Sequence, residues 1–574
     1  MPRFAHCLLM LLLVLGLSHR AVAQNGVPKI TVMQNGTDEF QADIKFIMHL
    51  AGANGKKQWS NVQETLEFFL EGVDGKRPVR IDVITGGQDP EIVMHIPIGK
   101  VKGNNFKAFE NNLNTFGFVF DKQPKNLFKL TLSGKPPQIF WMRYQNGYAS
   151  ITERQANVPL NMPDPSVAIQ PLVKRGFDVA ANLENQVGGQ AARKKQFQNT
   201  RKNLTAALKQ KKDEDPDDFE LRKLALDHQL DELERFYVQS EKLILGWTTD
   251  AEKKEGRLDI ELSPIKDTDL DKSVTLFGNA PSYFVNVERS KDAILSVRIN
   301  HPLDEMRKSH LADYFKLIRP NTKKRIEKND KRNDEEKNAR KEIVDLLIDM
   351  LADGTSGGMV DGFLEVTNVD EKKTLIGGIK TPDGGNAVVI MNLITKADKK
   401  LKVKLNLDKQ GDVSIHSVSI PENDKIKVQE FLGPIEEFYA GTSKDSLWIA
   451  AGDNALDTLK ATIEKVQEPV KEGAESVAVD TFIKLGPWIK YLDKRRKRLN
   501  KEDAGKELTE PEKTQRKERD ERRQNALKAF AQGQDTITFK LQRVEKHIEG
   551  KMIIGEGILR FIGNEIAEFS RKTL

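Results

Sequence analysis

Seven histidines follow residue 23: His49, His95, His228, His301, His310, His416 and His547. No two stand four apart with a glutamate between them, so the paired-histidine helix of zinc proteases is absent. His49 and His95 fall inside apolar runs read as strands, where an imidazole is expected to be satisfied by its neighbours. There is no Gly-x-Ser-x-Gly elbow and no Gly-x4-Gly-Lys-Ser/Thr phosphate loop. Gly354-Thr355-Ser356-Gly357-Gly358 follows a helical stripe instead of opening one, and reads as a helix C-cap and linker. Asp267-Thr268-Asp269-Leu270-Asp271 alternates carboxylates but lacks the glycine and distal glutamate of a calcium loop, so it reads as acidic surface. Cys7 is the single cysteine. Dispersed carboxylates acting as acid and base remain the route open to catalysis, and spacing along a chain does not give their separation. The sequence therefore assigns no catalytic residue, metal ligand or cofactor. One candidate contact is assigned: Lys494, Arg495, Arg496, Lys497 and Arg498 against an anionic partner. Glu502, Asp503, Glu507 and Glu510 dilute that field and no aromatic pattern accompanies it, so specific nucleic-acid binding is not expected.

The elements that would position such groups follow a recurring pattern. Ile44, Phe46, Met48 and Leu50 alternate as in a strand, and Trp59, Val62, Leu66, Phe69 and Val73 follow at helical spacing. Val79-Ile81-Val83 and Ile92 to Ile96, around the turn Gly86 to Pro90, then read as a hairpin. Three further units open at Phe177–Leu183, Ile294–Ile299 and Val477–Ile483, and each returns through a long helical excursion to a hairpin. Phe140-Trp141 with Asn146–Ile151, and Phe438-Tyr439 with Asp445–Ala450, match in a second way. The pattern predicts an α+β fold of antiparallel sheets with helices on one face, internally duplicated, with halves at residues 24–290 and 291–574. Pro159 to Pro171 reads as a surface crossing.

The excursions, at 188–238, 303–352 and 487–532, read as charged helical hairpins projecting from the sheet. Phe197, Leu204 and Leu208 mark one helix face, and Leu226, Leu230, Leu233 and Tyr237 another, with Pro216 suited to a helix start. The polar tip from Lys323 to Arg340 is expected to fray or be disordered. After it, Ile343, Leu346, Leu347 and Met350 restart an apolar face, with Leu347 expected to be buried. The arms can be solvated helices, contacts for an anionic partner, or self-association surfaces; their stripes are too short for a sustained coiled coil.

Residues 1–23 read as a secretory signal: Arg3, the apolar run Leu8–Leu17, and the small-x-small site Ala21-Val22-Ala23. Cleavage would leave a cysteine-free mature chain that stands without disulfides. Loss of Arg3 and Arg20 takes the net charge from +6 to +4, nearly balanced for a chain of 574 residues. No later stretch has the length and apolarity of a membrane span.

With this leader, the cysteine-free mature chain, charged helical arms and hairpins such as Asp445-Ser446-Leu447-Trp448-Ile449, the chain resembles uncharacterised secreted proteins of planctomycete-like bacteria. That resemblance implies export and an α+β repeat, and supplies no catalytic residue. The expected function is a non-enzymatic exported or cell-envelope binding or scaffold protein, periplasmic or extracellular, whose partner is an anionic envelope polymer or another envelope protein. The alternatives are a secreted hydrolase with dispersed carboxylates and a hydrophobic-ligand carrier, which would need a continuous apolar cavity between sheet and helices.

Overall fold

A computed structural model describes residues 29–573 except 85–90, 100–104, 159, 162, 383, 385, 421–427, 434, 471–475 and 503–508. The leader and the Gly86–Pro90 turn lie outside the described residues. The strands of the first half are β1 (Lys29–Gln34), β2 (Val79–Ile84), β3 (Glu91–Pro97), β4 (Phe118–Gln123), β5 (Leu127–Leu132), β6 (Gln138–Gln145), β7 (Tyr148–Thr152), β8 (Val179–Glu184), β9 (Ser240–Asp250) and β10 (Glu255–Pro264). Those of the second are β11 (Ala293–Pro302), β12 (Met359–Val369), β13 (Lys372–Lys380), β14 (Val403–Gln410), β15 (Val413–Ser419), β16 (Glu437–Thr442), β17 (Ser446–Gly452), β18 (Val479–Lys484), β19 (Thr536–Val544) and β20 (His547–Ile554).

All twenty form one antiparallel sheet. Outward from β10 the order is β9, β8, β1, β2, β3, β7, β6, β5, β4. Outward from β20 it is β19, β18, β11, β12, β13, β17, β16, β15, β14. β10 and β20 pair at the centre, with Asp259 opposite Lys551, Gly256 opposite Ile554 and Leu262 opposite Ile548.

Helices fill the long connections. Between β1 and β2 lie α1 (Thr37–Leu50) and α2 (Ala53–Phe69), and α3 (Asn105–Thr115) precedes β4. Before β8 lies α4 (Pro165–Val173); between β8 and β9 lie α5 (Gln190–Ala207) and α6 (Pro216–Gln239); α7 (Asp269–Leu276) follows β10. The second half carries α8 (Glu305–Glu327), α9 (Asp334–Ser356), α10 (Asn386–Ala397), α11 (Ala455–Gln467), α12 (Leu485–Glu502), α13 (Glu510–Phe530) and α14 (Glu556–Thr573). Their ends follow local chemistry. Asp215 caps α6 through the Asp217 N–H with Pro216 in the first turn, and Asp304 caps α8 through the Arg307 N–H.

Several expectations are corrected here. Ile44 to Leu50 is helix, and the opening strand is Lys29–Gln34. Helix α1 is buried on two sides: Ile44 and Met48 pack on Trp59 and Ala567, whereas Phe46 and Leu50 join Phe530 and Leu559. Two apolar stripes on one helix imitate strand alternation, and His49 consequently sits on a helix. The helices are not confined to one face. Ile30 and Leu183 pack beneath α5 and α6, while Met33 and Ala180, on the opposite side of the same strands, pack against Ile169 and Leu172 of α4. The proline-rich stretch is no plain surface crossing, because α4 buries Ile169 completely behind its Asp164 cap.

The polar tip is also ordered. Helix α8 continues to Glu327 and α9 begins at Asp334 behind Asn333. Arg332 and Arg340 both donate to the Ala397 carbonyl, Ala339 packs on Leu393 and Ala397, and Lys324 pairs with Asp217 at 2.8 Å. Ion pairs and docking on neighbouring helices replace the apolar area this segment lacks. Leu347, expected in the core, is 44% exposed, and Ile348 at 7% holds the buried place.

Candidate ligand cavity

Three side-chain constellations could carry chemistry. The first joins Asp82 on β2, His95 on β3 and Ser150 on β7 across one sheet face. His95 Nε2 lies 3.1 Å from Asp82 Oδ2, and Nδ1 lies 2.8 Å from Ser150 Oγ. A carboxylate only accepts, so Nε2 donates to it, and the Ser150 hydroxyl bonds the other ring nitrogen. Burial alone would raise Asp82, but hydrogen bonds from His95 and Arg80, with the Arg80 charge, outweigh it and hold it at about 2. The connectivity is that of a serine hydrolase relay. A serine nucleophile also needs an approach path for an acyl carbon, and Ser150 is 1% exposed in mid-strand. This row is a satisfied buried network, as expected for His95.

The second is a carboxylate cluster of Glu39 and Asp43 on α1 with Asp178 just before β8. Burial first, then the charges of Asp178 and Glu39, push Asp43 up to about 8, and Asp43 and Asp178 share a hydrogen bond. Asp178 also accepts from the Thr249 N–H at 2.5 Å. In the folded chain Asp43 keeps its proton between the ordinary 3.8 and about 8, where the unfolded chain has released it. Unfolding then releases a proton, so this group's contribution is full below 3.8 and is lost as pH rises toward 8. Urea midpoints of the wild type should therefore fall from pH 5 to pH 8.5 relative to those of Asp43→Asn. Parallel profiles would remove the shared proton.

The third stacks His228 of α6 on His310 of α8, centroids 3.9 Å apart, with His310 Nε2 3.0 Å from Asp231. Burial, then His310, lowers His228. Face-to-face rings do not converge on one ion, and no metal-competent cluster occurs among the described residues.

The basic run Lys494–Arg498 lies on α12. Lys497 pairs with Asp493 at 2.7 Å and Arg498 with Glu430 at 3.3 Å, so part of its charge is spent inside the fold.

What sequence reasoning missed is a cavity of about 410 Å³ between the sheet and α5, α6 and α7, within the size range of small-molecule sites. Its floor is Leu183, Leu243, Ile260, Leu262, Leu541 and Ile548, from five strands that meet around the β10–β20 seam. Its roof is Phe197 on α5, Leu233, Phe236 and Tyr237 on α6, and Leu270 and Val274 on α7, closed by Phe277. Two polar groups interrupt the lining: Ser273, His301 of β11 and Arg307 of α8 form one, and Gln196 and Thr200 of α5 with Tyr237 of α6, whose hydroxyl donates to Gln196 Oε1 at 2.7 Å, form the other. Burial, then the Arg307 charge, lowers His301, so its ring is neutral near pH 7. Arg307 Nε donates to Glu232 Oε1 at 2.7 Å and Nη1 to Ser273 Oγ at 3.2 Å. Helix α7 makes the roof short: Thr268 caps it through the Asp271 N–H, and it ends at Leu276 after eight residues.

The chain matches no protein-family model, no curated protein and no solved structure. No helix among the described residues is long and apolar enough to cross a membrane.

Proposed function

We propose that the protein is an exported, non-enzymatic carrier or sensor that holds an apolar small molecule in the cavity between α5, α6, α7 and the sheet. One observation carries the reading: twelve aliphatic and phenyl side chains line a space of about 410 Å³ that the fold leaves unfilled. Protein interiors rarely keep such voids, because unfilled apolar volume costs stability. Export rests on the leader and on the resemblance drawn from it.

The matching strand order on either side of β10–β20 supports reading the chain as two copies of one unit, and that comparison sharpens the case. Trp247 of β9 and Leu541 of β19 hold the same register, opposite Val179 and Val479 on the neighbouring strands. Trp247 lies over Gly256, where an added Cβ would meet the indole at 2.5 Å. Around it α14, eighteen residues long, packs Ile558, Leu559, Phe561 and Ile562. Across the seam the smaller Leu541 and the eight-residue α7 leave the matching space open. A solid arrangement is thus available to this architecture, and one side departs from it.

The test is extraction and mass spectrometry of apolar molecules that co-purify with the native chain, with Nile red binding as a readout. Val274→Trp places an indole in the cavity. It should weaken Nile red binding at least about tenfold while changing stability by less than about 1 kcal/mol, because the ring enters empty volume instead of a filled core. Unchanged probe affinity, or a native chain that holds no apolar molecule and binds no probe, would sink the reading.

A further inference from the structure

The polar group of Ser273, His301 and Arg307 restricts the ligand's chemistry, on the premise that the cavity is a ligand site. Arg307 is the one charged residue among those lining it. Its Nε and Nη2 both donate to Glu232, at 2.7 and 3.3 Å. Glu232 also accepts from Arg235 at 2.6 Å, and Arg235 reaches Asp304 at 2.5 Å. Two guanidinium groups and two carboxylates thus neutralise one another in a half-buried cluster, with Arg235 4% exposed. An anionic head group entering here would lose its water without gaining an unspent cation, and a cationic one would face Arg307; both are disfavoured. His301 offers something different. Its ring packs edge-on against Phe277 with centroids 5.0 Å apart, and one ring N–H donates to the Pro302 carbonyl. With that N–H engaged, the neutral imidazole keeps one acceptor nitrogen, which can take a hydrogen bond from a ligand hydroxyl but can give none to a carbonyl.

We infer that the cavity takes an uncharged, largely apolar molecule bearing a hydroxyl group, seated against His301. Fatty acids, phosphorylated lipids and cationic amphiphiles are excluded as the preferred class.

Titration of the full chain with 1-decanol and with decanoate at pH 7.5 tests this by calorimetry. The alcohol should bind at least about a hundredfold more tightly than the carboxylate, the ratio expected when an ion is desolvated without a partner. His301→Leu should weaken 1-decanol roughly tenfold, the value of one hydrogen bond, and leave n-decane uptake unchanged. His301→Gln, which restores a hydrogen-bonding group, should recover most of that loss and serves also if the leucine variant does not fold. Decanoate binding as tightly as decanol, or His301→Leu weakening alcohol and alkane alike, overturns the ligand class while leaving the cavity a binding site. Failure of decanol, decanoate and decane all to bind overturns the cavity reading itself.

Discussion

Trp448→Ala should destabilise the protein by about 3–5 kcal/mol, the range for removing a buried aromatic and leaving its cavity. Trp448 is 2% exposed at the centre of the second half's core, on β17. Its ring meets Phe284 at 5.3 Å and Phe363 at 5.9 Å, both near edge-to-face, and its indole N–H donates to Ser446 Oγ at 2.9 Å. Val413, Ile415, Leu459 and Ile463 complete the cluster, so helix α11 and strands β12, β13, β15 and β17 all lean on this side chain. The cluster cannot collapse cheaply, because its backbone is tied into five-strand pairing. Urea unfolding followed by far-UV circular dichroism measures the effect without relying on the emission the substitution removes. A loss below about 1 kcal/mol would show that the aromatic cluster does not organise this half.

Arg235→Met should cost about 3–5 kcal/mol, because it strands carboxylates in a poorly solvated place. Arg235 sits on α6, in the first half, and bridges Glu232 to Asp304, the cap of α8 in the second. Without it Asp304 keeps, among the described residues, only Arg307, at 3.8 Å, as an ionic partner. Burial alone would raise Asp304, yet hydrogen bonds from the Arg307 N–H, Ser273 and Arg235 outweigh it and hold it below the usual carboxylate range. In Arg235→Met that balance tips, and α8 loses part of its anchor to α6. Adding Asp304→Asn removes the stranded charge, so the double variant should be more stable than the sum of the single losses by at least about 1 kcal/mol. Strict additivity would mean that the two halves are not coupled through this cluster.

Much of the architecture is legible in the chain because its determinants are local. Pro216 behind Asp215 starts a helix wherever it lies, and the stripe Leu226, Leu230, Leu233, Tyr237 identifies the side that packs. Runs such as Gly256–Leu262 and Thr536–Leu541 alternate in sequence, and Ile260, Leu262 and Leu541 of their apolar sets line the cavity. Local signals fail where burial is not one-sided. Ile44, Phe46, Met48 and Leu50 serve two packing surfaces of α1, and the helix then reads as a strand. Helical spacing puts Leu347 on the apolar stripe, whereas in α9 it is Ala339, Ile343 and Leu346 that pack with Leu393 and Ala397 of α10, and Ile348, not Leu347, is buried. The Lys323–Arg340 tip carries too little apolar area to order itself, and partners such as Asp217 and Ala397 lie far away in sequence.

By itself the sequence determined the α+β character and many of the helices and hairpins, because hydrogen-bonded turns and pleats are decided by residues a few positions apart. It also determined that nothing in the chain spells out a familiar catalytic motif. The tertiary structure alone decided the single sheet, the β10–β20 seam and the cavity. Leu183, Leu262, Leu541 and Ile548 are each ordinary core residues along the chain, and a void is a property of what fails to meet in space. His301 shows this most plainly: isolated in sequence, it acquires meaning only where β11 brings it into the lining of an apolar space whose charged neighbours are already paired with one another.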